Sequence, residues 1–531
     1  MPNQQTTLWI SNFKGLDDST IPGATKQVGL TKEQGNPYTP DELNVKTRFG
    51  LVSGRGGLYN YQAISAASST SPIIGLAQFS RAKGASNSLV RMTPTKLEWL
   101  TGGAWTDITG TALAGSSTTR PQFEVIQDTM IFTNEGANLP RKWTGSGNSA
   151  TLGGSPPYGK SIVQTLQYAM LGNISNDGTF TDVFDGWRTI QYADSFDTNW
   201  TLCSGNLIDL NQTTGDLLRM LVLGRSLMCL KNDGVVRLGW VGGGVRFTQE
   251  LITPKDGSGG SPMVGLAGPL AACVTDRGIA MLGTNGILYN LTEQGMTAIS
   301  PEALSQTLTR TIQNLSRFKY ARMMVLPSQD VAILLYDRTG LTGQFLDSYI
   351  AWNYRTEEFD KGRLGKQVIA AVAFRSDFQS SEVGLVSTST LVDEFDSTNL
   401  ASDDGVAVNR YRTTGWHQTT DGDWWFYGAR IIMRKAPGAR IKVSVATDLS
   451  PKFGREQYFS LRSTDPTSDV VECSYRVPSP IPLTWVNIKV TMLYDKAGAT
   501  TDLMRVGLVG SPLHAMPETP QRMPVGEARA G

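Results

Sequence analysis

The chain has 531 residues, with 48 Lys and Arg against 47 Asp and Glu, so its net charge is only +1. That balance excludes a global basic field able to collect nucleic acid or an anionic membrane, while two histidines and four unclustered cysteines exclude a zinc site of the usual spacing and a secreted disulfide framework. Hydrophobic residues at 40%, charged residues at 18%, and 56 Gly with 25 Pro describe a turn-rich chain, which favours β structure over long helices.

The start, Met1-Pro-Asn-Gln-Gln-Thr-Thr-Leu-Trp, lacks a basic, then apolar, signal segment, and no run of 18 apolar residues occurs. A soluble protein made in a reducing cytoplasm, without a membrane span, is the expectation. Residues 1–60 are polar, with no sustained period, and predict an extended N-terminal arm ending in a strand over Leu43-Asn-Val-Lys-Thr-Arg-Phe-Gly-Leu-Val.

From 61 to 400 short apolar strands alternate with Gly, Asn and Asp turns. Ile73–Phe79, Ser88–Met92, Lys96–Leu100 and Ala104–Ile108 make four strands in about 40 residues, the content of one propeller blade. The central hairpin recurs from Ile126, Leu166, Leu223, Thr275 and Pro327, and a last unit follows over 368–395. This spacing predicts a β-propeller of six or seven irregular blades; the alternative is a tandem of irregular β-sandwiches. One helix is expected over 301–315, capped by Ser300 with Pro301 at its first turn. The tryptophans at 99, 105, 143, 187, 200, 240 and 352 read as blade-packing anchors. Residues 401–510, after the turn Ala401-Ser-Asp-Asp-Gly, predict a β-sandwich of six alternating strands, and 511–531 a Pro-rich tail. The fold class is therefore all-β.

No catalytic pattern is complete. Gly242-Gly-Gly-Val-Arg lacks the spacing of a phosphate loop, Ser175-Asn-Asp-Gly-Thr-Phe misses the sialidase repeat, and no nucleophile elbow occurs. No enzyme activity, cofactor or metal site is expected. Charge is segregated instead. Residues 391–423 carry Asp393, Glu394, Asp396, Asp403, Asp404, Asp421 and Asp423 against two arginines, Arg410 and Arg412. Residues 430–462 carry Arg430, Arg434, Lys435, Arg440, Lys442, Lys452, Arg455 and Arg462 against two acids. Adjacent patches of opposite sign suit contacts between subunits.

Several segments resemble the β-propeller tail-tube or nozzle proteins of short-tailed bacteriophages. They are Phe13-Lys-Gly-Leu-Asp-Asp, Glu42-Leu-Asn-Val-Lys-Thr-Arg-Phe-Gly-Leu-Val-Ser-Gly-Arg-Gly-Gly, Tyr192-Ala-Asp-Ser-Phe-Asp-Thr-Asn-Trp, Leu221–Val235 and Thr275-Asp-Arg-Gly-Ile-Ala-Met-Leu-Gly-Thr-Asn-Gly-Ile-Leu. The likeness runs through most of 10–400; the C-terminal sandwich has no counterpart in it. The resemblance implies a structural virion protein of the tail, made in the host bacterial cytoplasm and assembled as a homo-oligomeric ring, a hexamer, below the portal and its adaptor. Its partners would be copies of itself, the adaptor and portal-proximal proteins, and tail fibres or spikes. Genomic DNA would pass through the channel for ejection without sequence-specific binding. The acids would then line a channel or interface, and the bases would face partners. The rival reading is a receptor-binding or glycan-processing propeller.

Overall fold

Two-residue turns set the architecture. In the computed structural model, Thr101 pairs with Ala104 across Gly102 and Gly103, both at positive φ, and Ile126 pairs with Thr129 across Gln127 and Asp128, also both positive. Such turns match the twist of the strands they join, so each folds its neighbours into an antiparallel hairpin. The structure describes residues 6–10, 42–48, 51–61, 69, 71–81, 87–166, 168–175, 186–193, 200, 206–242, 246–254, 263–299, 315–338, 345–376, 381–397, 402–403, 406–414, 417–418, 424–436, 438–448, 450, 452–461, 469–483, 485–494 and 501–512. The expected helix over 301–315 lies almost wholly outside them.

Seven four-stranded antiparallel sheets follow one another. Sheet I is Gly75–Phe79, Ser88–Met92, Leu97–Thr101 and Ala104–Asp107; sheets II to VI begin with Gln122–Ile126, Tyr158–Thr165, Leu217–Leu223, Ala272–Thr275 and Arg322–Leu326. Sheet VII has only three consecutive strands, Ala371–Phe374, Val383–Thr388 and Leu391–Ser397. Its fourth is Gly57–Asn60, from more than 300 residues upstream. The first strands pack on one another in order, I on II through VI on VII, and that of VII packs back on that of I. Buried apolar side chains fill the spaces between sheets, as where Met228, Leu282, Leu334 and Trp352 share one core.

Among the described residues the remaining strands form two six-stranded sheets and one two-stranded ribbon, Ser402–Asp403 with Val406–Ala407. Sheet A runs Val45–Arg48, Leu51–Gly54, Asp502–Pro512, Trp424–Arg434 and Val470–Leu483, with Thr6–Ile10 also on Asp502–Pro512. Sheet B runs Glu42–Leu43, Arg410–Thr413, Trp485–Tyr494, Ala439–Thr447 and Gln457–Ser460, with His417–Gln418 on Trp485–Tyr494. Val52, Ile431 and Leu508 of sheet A and Ile441, Val443 and Val490 of sheet B fill one core. Alternating inward residues bury one face of each sheet, which is why the two pack as a sandwich.

This arrangement corrects the expectation of a separate arm over 1–60. Residues 6–10, 42–43, 45–48 and 51–54 are sandwich strands, and 57–60 complete the seventh sheet. A polar strand reads as an arm when its partner strands are hundreds of residues away. The tail expected from 511 begins later, since Ser511 and Pro512 still belong to a strand.

Candidate functional site

Residues 42–60 cross from the sandwich to sheet VII, and the crossing is held by buried charge. Arg55 and Asp403 are each 1% exposed and 2.8 Å apart. Asp403 also accepts the backbone N–H of Leu58 at 2.9 Å and of Gly365 at 2.6 Å. One carboxylate thus ties the crossing segment, the last strand of sheet VI (Glu358–Val368) and the link into the sandwich. Asp396 accepts Gly56 N–H and the Lys46 ammonium, both at 2.7 Å. Arg410 donates its Nε–H to the Arg55 carbonyl at 2.5 Å and lies 4.6 Å over the Tyr494 ring. A buried charge is tolerated when partners stand in for water; here Arg55 Nη2 is matched by Asp403, while Arg55 Nε and Nη1 are buried with no hydrogen-bond partner among the described residues and the guanidinium lies over the Phe395 and Tyr349 rings.

A second group sits one strand away. Arg412 donates to Glu42 Oε2 and to Thr47 Oγ1, both at 3.0 Å, and Thr47 N–H bridges both oxygens of Asp360 at 3.0 and 3.1 Å. Burial, then the neighbouring Asp360, raises the Glu42 pKa well above the usual carboxylate range, and burial pushes Asp360 up to about 6. Glu42 Oε1 is buried and has no hydrogen-bond partner among the described residues. A small cleft of about 30 Å³ opens beside them, lined in part by Lys46, Arg48, Gln329, Asn353 and Asp396. Chemically this is a clamp: its carboxylates are occupied by backbone donors and arginines.

Of the acids expected at a channel or interface, Asp396 and Asp403 belong to this clamp. Asp393 and Asp403 are buried, the former accepting the Thr388 hydroxyl; Asp396 is half-buried and ion-paired. Glu394 is half-buried, and burial raises its pKa. These placements correct the surface role for Asp393, Asp396 and Asp403. Asp404, Asp421 and Asp423 lie outside the described residues, as does Arg462. Among the bases, Arg430 pairs with Glu472 at 3.5 Å, Arg434 with Asp502 at 3.1 Å and Lys442 with Glu456 at 2.8 Å. Arg440, Lys452 and Arg455 are exposed and Lys435 half-buried. The basic excess of 430–462 is therefore diluted by acids from strands outside that window.

Arg55, Glu42 and Asp360 gave no sign of their partners Asp403, Arg412 and Thr47, which lie 300 or more residues away; only the Arg55-Gly-Gly pattern pointed at the first. Trp143, Trp200 and Trp352 are buried as expected of packing anchors, whereas Trp187 and Trp240 are 46% and 42% exposed. Cys229, Cys273 and Cys473 are buried and unbridged. Among the described residues no group of His, Cys, Asp and Glu is placed to hold a metal, and no helix is long and apolar enough to cross a membrane.

No family model and no curated protein matches the chain. Solved structures similar to it include PorZ of the type-IX secretion system of Porphyromonas gingivalis, at 9% identity and TM-score 0.36, covering 68% of this chain and 44% of PorZ. Two structures of one extracellular domain from B. thetaiotaomicron, that of BT4673, are also similar. The one solved as part of a proposed hybrid two-component system has 10% identity and TM-score 0.38, covering 80% of this chain and 48% of its own. The one solved as part of a proposed one-component system has 8% identity and TM-score 0.43, covering 85% and 63%. The chain spans less than two thirds of each, and likenesses this distant carry no functional argument.

Proposed function

We propose that the chain is a seven-bladed β-propeller carrying a β-sandwich, and that it serves as a ring-forming structural subunit of a bacteriophage tail nozzle. Seven blades are supported by the closed order of first strands and by Gly57–Asn60 completing sheet VII, the usual way a circular array avoids an open edge. The observation that carries the functional reading is the crossing segment. The stretch Asn44–Gly57, whose pattern resembles that family, is the one that pins propeller to sandwich through Arg55–Asp403, Lys46–Asp396 and Thr47–Asp360. A wall subunit does no chemistry but must keep two bodies in fixed relation, and buried pairs at the joint serve that end.

In this reading the exposed bases Arg440, Lys452 and Arg455 face neighbouring subunits, adaptor or fibre proteins, and DNA passes without sequence-specific contact. Native mass spectrometry and electron microscopy of the full chain test it: a hexamer with a central hole is expected, and a stable monomer at micromolar concentration overturns it. One observation favours the rival glycan-binding reading. Exposed Trp240 packs against buried Tyr168 of sheet III and Phe247 of the last strand of sheet IV at 5.6 and 5.3 Å, an aromatic group with one exposed face. Glycan binding lost in Trp240→Ala would turn the conclusion to that reading.

A further inference from the structure

The first strands bring a different set of charges to the centre of the ring. Arg120, two residues before sheet II, is 2% exposed, and its guanidinium lies 4.6 Å over the ring of Tyr320, two residues before sheet VI. Sheets II and VI are not neighbours in the ring, so this contact reaches across its middle. Arg322, which opens sheet VI and is 5% exposed, sends Nη2 to the carbonyl of Ile74 before sheet I at 2.6 Å. Arg219, in the first strand of sheet IV, sends Nη1 to the Ala272 carbonyl of sheet V at 2.7 Å. The three arginines thus gather at one mouth of the axis, the end where the first strands begin.

Their charge is not matched. Arg120 Nη1 is taken by the carbonyls of Ser117 and Thr119, at 3.2 and 3.0 Å. Arg120 Nε and Nη2 and Arg322 Nε are buried and have no hydrogen-bond partner among the described residues. Two carboxylates are near. Glu135 acts on Arg120 and Arg322 and Glu124 on Arg219, yet neither forms an ion pair with them among the described residues. Burial pushes the Glu124 pKa up to about 7, so this carboxyl is only partly ionised at neutral pH. Burial, with Arg120 second, drives the Arg322 pKa well below its usual value. Guanidinium stays charged under ordinary conditions, so the cluster holds positive charge and oriented N–H donors with nothing to receive them.

We propose that this axial cluster is a binding site for a compact tetrahedral oxyanion, inorganic phosphate or sulfate, held by Arg120 and Arg322 with Arg219 beside them. The planar fork of arginine suits such an ion, and a dianion offsets what three guanidinium groups carry beyond Glu135 and a part-ionised Glu124. Arg219, partly exposed, gives the ion access from solvent. The bound ion would join sheets II, IV and VI across the axis, as a pin through the hub. The proposal is independent of the tail-nozzle reading.

Titration calorimetry of the full chain with inorganic phosphate, in chloride buffer at matched ionic strength, tests it. One phosphate per chain is expected, with sulfate competing and a rise in Tm on binding. Arg120→Gln should weaken binding about tenfold or more, the size of a lost charge-assisted pair. Arg440→Gln, on the exposed sandwich surface, should leave it unchanged. Should Arg322→Lys fail to fold, Arg120→Gln carries the test, because the hydrogen bonds it gives up are to carbonyls of its own loop. No binding beyond chloride, or unchanged binding in Arg120→Gln, overturns the proposal. Phenyl phosphate binding as tightly as phosphate overturns the assignment to a compact free ion.

Discussion

Buried charge is treated in two ways in this chain. At the joint between ring and sandwich, Asp403 receives Arg55 and two backbone donors, and Asp360 receives Thr47, so each ionised carboxylate is matched. Buried guanidinium N–H groups are left over in both places, Arg55 Nε and Nη1 at the joint and Arg120 Nε and Nη2 with Arg322 Nε on the axis; the difference is that on the axis three arginines meet two carboxylates that stay out of ion-pair reach. The contrast teaches what each place is for. A matched cluster spends its interactions on holding two parts of one chain together. An unmatched one is costly alone and keeps its donors available for something else.

The most damaging single change should fall on the matched cluster. Asp403→Ala strands Arg55 in the interior without its counter-charge, and a loss of about 3–5 kcal/mol is expected in denaturant unfolding. A loss under about 1 kcal/mol would mean that the joint is not held by this pair. The Glu42–Asp360 group should show a pH signature. Both pKa values are raised in the folded chain, so the folded state binds more protons than the unfolded one between the ordinary carboxylate range and about 6. Stability should therefore fall as pH rises through the ordinary carboxylate range, with the Asp360 part complete by about 6. Thermal melts of Asp360→Asn across that range should lose most of this slope; an unchanged slope places its origin elsewhere.

On the axis the expected sign reverses. Glu135→Gln removes a nearby negative charge, so phosphate should bind about two- to fivefold tighter in calorimetry, while the ion-free protein becomes less stable. Weaker binding would mean that Glu135 shapes the site instead of competing with its ligand. The smallest effect belongs to the sandwich surface, where Arg434 and Asp502 pair in solvent. Arg434→Ala should change stability by no more than about 0.5 kcal/mol, measured by the same unfolding experiment.

The local half of the fold was legible in the sequence. The hairpin starts at Ile126, Leu166, Leu223, Thr275 and Pro327 fall on the turn between first and second strands of five successive sheets, because turn chemistry and strand alternation are short-range. The six sandwich strands after residue 424 lie close to their expected places for the same reason. What escaped was non-local. Asp403, in Ser402-Asp-Asp-Gly, has the composition of a solvated turn, and nothing nearby announces that Arg55, 348 positions away, covers it. The basic window likewise looked unbalanced because Glu472 and Asp502 lie outside it, although Arg430 and Arg434 sit beside them in neighbouring strands. The axial arginines gave no sign, since Arg120, Arg219 and Arg322 are spread over some 200 residues and meet only when the ring closes.

The strand Gly57–Asn60 also bears on how the protein is made. It leaves the ribosome early, yet the sheet it completes ends only at Ser397. Val45–Gly54 wait longer still, for a partner that ends at Pro512. During synthesis, sheets I to VI can form hairpin by hairpin, and Val45–Arg48 can pair with Leu51–Gly54, but Gly57–Asn60 and the sandwich partners of that hairpin must wait until almost the whole chain has emerged. Such late, long-range pairing is slow and exposes strand edges to other nascent chains. The final act of folding is thus the same event for both bodies: one segment docks, and ring and sandwich are sealed together.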